Sequence, residues 1–92
     1  MPHIGNGGAL LDKSLGSTRH KALIALLIQK RESAGLTQAE LAKLLGEYQS
    51  FVARLESGQR RLDVIEFIKL AEVLSFDAPS LLKHLQMVRD ER

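Results

Sequence analysis

Cysteine and tryptophan are absent, and the 92-residue chain has only three Phe and one Tyr. Without cysteine there is no disulfide framework and no thiolate metal site. That absence suits a reducing compartment, and a cytoplasmic location is expected. Long apolar runs are also missing. The longest, Ala22 to Ile28, is far short of the ~20 residues that cross a bilayer. The start lacks a basic segment followed by an apolar one, so neither a membrane span nor a secretory leader is expected. Excess charge of one sign is scarce, because 13 Lys and Arg stand against 11 Asp and Glu, a net of +2. Composition alone therefore does not point to nucleic acid, and the placement of the charges has to decide. A chain this short builds one small core and leaves little room for an enzyme cleft.

Catalytic patterns are missing as well. Gly5, Gly7 and Gly8 precede Lys13 and Ser14, but Asp12 fills the place where a phosphate loop needs glycine, and no strand leads into the cluster. His3, His20 and His84 are scattered without metal-ligand spacing and read as surface residues. No serine sits in a nucleophile elbow. The expectation is no catalytic residue, no metal, no cofactor and no small-molecule ligand.

What is present is a dense set of helix signals. The stretch from Thr37 to Gly58 reads TQAELAKLLGEYQSFVARLESG. Thr37 and Glu40 form a capping box. Leu41, Leu44 and Leu45 recur at helical spacing, and Gly46 closes the helix. A second short helix runs from about Gln49 to Ser57, with Val52 and Leu55 inward and Gly58 as its stop. Helices this short are marginal alone, so the pair is read as one helix-turn-helix unit. The outer face of its second helix carries Gln49, Ser50, Ala53 and Arg54. These are short or hydrogen-bonding residues and do not form a Glu/Lys solvation stripe. Arg can grip guanine O6 and N7, and Gln can grip adenine N6 and N7.

Around this unit the sequence predicts an all-α domain of five helices over 18–88. A flexible N-terminal arm is expected over 1–17, from Pro2 and the Gly5–Gly8 cluster, and a charged tail over 89–92. Ser17 or Thr18 caps a first helix that ends near Ala34 at Gly35. Asp63 and Glu66 form a second capping box, starting a helix to about Leu74 with Val64, Phe67, Ile68, Ala71 and Leu74 on one face. Asp77 caps the fifth helix, Pro79 sits in its first turn, and Leu81, Leu82 and Leu85 supply its apolar face. No β pattern and no internal repeat appear.

The segments GLTQAELAKLLG and QSFVARLESGQRRLDVIEFIKLAEVL resemble the lambda-repressor-like, Cro/Xre-type helix-turn-helix regulators. The resemblance spans roughly Arg19 to Leu82. It rests on Gln38, Ala42, Gly46, Val52, Glu56 and Gly58 falling together at the family's spacing. It implies sequence-specific binding of double-stranded DNA in transcriptional control, as a repressor, with the helix at about 49–57 in the major groove. By resemblance, Gln49, Ser50, Ala53 and Arg54 occupy base-contacting positions, and Arg54 suits a phosphate equally well. Gln38 would bind a phosphate and brace Gln49. Lys43, Tyr48, Arg60 and Arg61 are the further backbone candidates, although a bare arginine pair is ordinarily a solvated loop. Arg31 and Glu56 match the family's structural ion pair. Phe51 reads as packing rather than base stacking. Glu47, Tyr48 and Ala53 depart from the usual family residues and leave the DNA preference open.

One domain offers few base contacts, so a homodimer on an inverted-repeat operator is expected, with Ile65, Leu82, Leu85 and Met87 as interface candidates. The rival reading keeps the fold and changes the partner. It is a protein-interaction module, such as an antitoxin that binds a toxin and represses its own operon.

Overall fold

The computed structural model describes residues 15–89. The expected arm over 1–17 and tail over 89–92 therefore lie almost wholly outside the described residues. Among these residues five helices follow in order: α1 (Thr18–Ser33), α2 (Gln38–Leu45), α3 (Gln49–Glu56), α4 (Val64–Leu74) and α5 (Ala78–Met87). Among the described residues there is no strand.

The helix starts follow from local chemistry. Ser17 accepts from the His20 amide and opens α1. Thr37 Oγ1 accepts from Glu40 N at 3.0 Å while Glu40 accepts from Thr37 N at 2.8 Å, so the capping box is complete. Asp63 and Glu66 repeat it at 2.7 and 3.0 Å. Asp77 caps α5 through Ser80 N at 3.0 Å. Each such cap satisfies amides that the helix itself leaves unpaired. Only α3 lacks one, because Tyr48 at its N-cap makes no side-chain bond.

The turn between α2 and α3 depends on Gly46. Its φ of 75° is left-handed, and it lets Glu47 N reach back to Ala42 O at 2.9 Å. A Cβ there would meet nothing within 4 Å, so the need for glycine is conformational and not one of space. At the end of α4 the same left-handed turn is made by Ser75, with φ 58°, and Phe76 N bonds Ala71 O at 3.0 Å.

The main core joins Ile24 and Leu27 of α1, Leu41, Ala42 and Leu45 of α2, Phe51, Val52 and Leu55 of α3, and Leu70 and Leu74 of α4. A second cluster of Phe67, Leu81 and Leu85 fixes α5, with Phe67 and Phe76 tilted at 57° and 5.6 Å apart. Apolar assignments change in three helices. Leu44 is 55% exposed, and Ala42 takes the inward place beside Leu41 and Leu45. In α4 the buried stripe is Phe67, Leu70, Ala71 and Leu74, an i, i+3, i+4, i+7 pattern that leaves Val64 and Ile68 outside. In α5, Leu85 points inward with Leu81, one turn away, while Leu82 faces out.

Candidate nucleic-acid interface

The inner face of α3 is fixed almost completely, with Val52 and Leu55 at 0% and 1% exposure and Phe51 also buried. A helix of eight residues anchored on three core positions has its rotation about its axis set by that packing. Its other face is consequently presented outward: Gln49, Ser50 and Arg54 are exposed and Ala53 is half-buried. The four predicted base-contacting residues thus share one outward stripe.

Beneath them lies a polar network that joins three helices. Arg31 of α1 holds Glu56 of α3 with two bonds, Nε to Oε2 at 2.6 Å and a terminal nitrogen to Oε1 at 3.0 Å. A third Arg31 nitrogen donates to Leu36 O at 2.7 Å. Gln38, the first residue of α2, donates its amide to Glu56 Oε1 at 2.9 Å. The side chains of Arg31 and Glu56 are only 12% and 7% exposed. The hydrogen bond from Arg31 to Glu56 raises the Arg31 pKa above its ordinary value against the opposing effect of burial. The expected brace from Gln38 to Gln49 is not what the amide nitrogen makes. It is committed to Glu56, because Glu56 reaches between α1 and α2 with a spare carboxylate lone pair.

The backbone candidates divide. Lys43 and Arg61 are exposed, and Tyr48 is 84% exposed at the start of α3. Arg60 is not displayed in the same way. It bonds both oxygens of Glu66, at 2.9 and 2.7 Å, and lies 4.4 Å from the centre of the Phe51 ring. That pairing with Arg60 holds the Glu66 carboxyl below its usual pKa. In the sequence Arg60 and Arg61 look equivalent; Glu66 lies six positions beyond Arg60, a spacing with no local signature.

Of the dimer candidates, Ile65, Leu82 and Met87 are exposed, at 73%, 49% and 77%. Leu85 is a correction: it belongs to the second core cluster and has no outward face to offer. His20 is also displaced from its expected surface role. Its Nε2 is buried without a hydrogen-bond partner, and the ring lines a groove with Ile24, Ile28, Glu56 and Gly58. Burial, helped by the nearby Arg61 charge, lowers its pKa from the ordinary 6.5, while the Gly58 backbone opposes the shift. Arg19 carries no mark in the sequence that sets it apart. It donates to Val88 O at 3.1 and 2.9 Å and to Gln86 O at 3.4 Å, closing the end of α5 where free carbonyls attract a cation. Among the described residues no cluster of three or more potential metal ligands occurs.

A capped α2 joined by a glycine turn to an α3 whose outer face is polar, within the five helices of the described residues, defines a helix-turn-helix protein. A helix-turn-helix family model matches residues 27–79. The chain is similar to an XRE-family like protein from Pseudomonas syringae pv. tomato str. DC3000. Identity is 41%, the match covers 88% of this chain and 94% of that one, and the TM-score is 0.71. It also shares its fold with the clp gene regulator ClgR from C. glutamicum, at 22% identity, 74% and 88% coverage and a TM-score of 0.65. No curated protein matches the chain. The chain belongs to the Cro/Xre-type helix-turn-helix family of DNA-binding transcription regulators.

Proposed function

We propose that this protein binds double-stranded DNA sequence-specifically as a transcriptional repressor of the cytoplasm, with α3 in the major groove. The observation that carries the reading is the outward stripe of Gln49, Ser50, Ala53 and Arg54 on a helix whose opposite face is buried. A rigidly held helix loses little conformational freedom when it meets base edges, and each bidentate contact to a base discriminates by ~1–3 kcal/mol. Gln49 and Arg54 are the readers; Ser50 and Ala53 fit close to the groove floor, where the Ala53 methyl suits a thymine methyl. Lys43, Tyr48 and Arg61 lie toward the phosphates, which set register without reading sequence.

The protein acts as a homodimer on an inverted repeat, with half-sites about 34 Å apart. Ile65, Leu82 and Met87 supply exposed apolar surface for the contact. Titration of duplex DNA at several salt concentrations tests the reading. Affinity should fall linearly on a log–log plot, with a slope of about −0.9 per phosphate neutralised. Sedimentation with and without DNA should give a dimer on the site. Binding that ignores salt, or a monomer on DNA, would count against this function.

A further inference from the structure

The loop between α3 and α4 is governed by one guanidinium. Arg60 uses one terminal nitrogen on Glu66 Oε1 at 2.9 Å and on the Arg61 carbonyl at 2.6 Å, and the other on Glu66 Oε2 at 2.7 Å. One face of its plane is covered by the Phe51 ring. Phe51 belongs to the buried side of α3. Glu66 Oε1 is at the same time the acceptor for Asp63 N, the backbone half of the α4 capping box. A single side chain thus ties the inner face of the helix that carries the readers to the loop peptide after Arg61 and to the first turn of α4. The positive charge is offset where it stands, since Glu66, Asp63 and Glu47 all act on Arg60.

We propose that Arg60 is a positioning residue and not a phosphate ligand: through Glu66 and Phe51 it sets the path of the 57–63 loop, and so the approach of Arg61 to the DNA backbone. The inference rests on the DNA-binding reading above and sharpens it. To grip a phosphate, Arg60 would have to release a bidentate carboxylate and its aromatic face together. Arg is suited to this clamp because its planar fork matches a carboxylate and stacks on a ring, which the lysine ammonium does neither of in the same geometry.

The two roles predict opposite signs for one substitution. Glu66→Gln removes a negative charge but keeps a side chain able to complete the capping box. If Arg60 were a phosphate ligand, this change would free its charge and tighten binding. If Arg60 positions the loop, the same change loosens the loop and weakens binding. The experiment uses the full chain and a duplex selected from random DNA by the wild-type protein. Kd is measured at several salt concentrations, at a temperature where circular dichroism shows every variant folded. Glu66→Gln and Arg60→Lys should each weaken binding about tenfold. The double variant should be no weaker than either single one, and amide exchange should accelerate over residues 59–63 while the core of α1 stays protected.

Tighter or unchanged binding by Glu66→Gln would overturn the inference and leave the DNA-binding reading standing. So would wild-type affinity in Arg60→Lys, because a phosphate needs only the charge. A variant that loses its helical spectrum altogether also counts against it, since the clamp is held to govern the loop and not the fold. If the wild-type chain selects no duplex and shows no salt-dependent binding, the functional reading itself fails, and the inference with it.

Discussion

Glu56→Ala puts the whole interhelix network to the test. The carboxylate accepts two bonds from Arg31 and one from Gln38, at 2.6, 3.0 and 2.9 Å. Both ion-pair partners are nearly buried, so water restores little when one is removed. Truncating one member of a buried pair costs ~3–5 kcal/mol. The lower end applies here, because Arg31 keeps its bond to Leu36 O. A loss of about 3 kcal/mol lowers the melting midpoint of a domain this size by roughly 12–24 °C. The assay is urea unfolding followed by far-UV circular dichroism, on wild type, Glu56→Ala, Arg31→Ala and the double variant. The double variant should lose much less than the sum, with a coupling of more than about 1 kcal/mol. Added salt should change the coupling little, since the pair is shielded from the ionic atmosphere. A coupling within about 0.5 kcal/mol of zero would refute the reasoning, since distant independent sites behave that way.

Three smaller perturbations each probe a single feature. Ser75 holds a left-handed backbone at φ 58°; Ser75→Gly should relieve ~1–2 kcal/mol of strain, less ~0.4–1 kcal/mol from a freer unfolded chain, for a small net gain in urea midpoint. His20 has a lowered folded pKa, so its contribution to stability is complete above pH 6.5 and is lost as pH falls below it; His20→Gln should flatten the pH dependence of the melting midpoint in that window, before the similarly depressed Glu66 begins to act below its ordinary 4.5. Arg19→Ala should speed amide exchange at the end of α5, where it holds the Gln86 and Val88 carbonyls, while costing global stability only about 1 kcal/mol; unchanged exchange at that end would remove its role as a closing residue.

The starts of helices are legible in the sequence because their signals are local. Thr37 with Glu40, Asp63 with Glu66, and Asp77 each act within one turn, and all three caps stand where the sequence places them. The outward stripe on α3 is legible for a related reason: Val52 and Leu55 fix the inward direction, and helical geometry does the rest. Facing direction fails where apolar residues exceed the space available. Both faces of α5 carry leucine, so Leu82 and Leu85 separate only once Phe67 is found beneath one of them. In α2, small Ala42 and not Leu44 lies at the closely packed side, a choice that only the neighbouring helices make. The end of α4 carries no glycine, and the left-handed Ser75 therefore has no sequence mark. Long-range polar partners are the hardest to read. Arg31 with Glu56 enters through a resemblance, Gln38 with Glu56 and Arg19 with the end of α5 depend on how distant turns meet, and Arg60 with Glu66 closes across one loop at a spacing that has no local signature.

The most direct measurement is selection of bound sites from random duplex DNA by the wild-type chain, by Gln49→Ala and by Arg54→Ala, each confirmed folded. The wild type should enrich one recurring inverted-repeat motif. Each variant should relax preference at a different position of that motif, by about 1–3 kcal/mol for the one base it no longer grips. The same motif returned unchanged by both variants, or no enriched sequence from the wild type, would contradict sequence reading by α3.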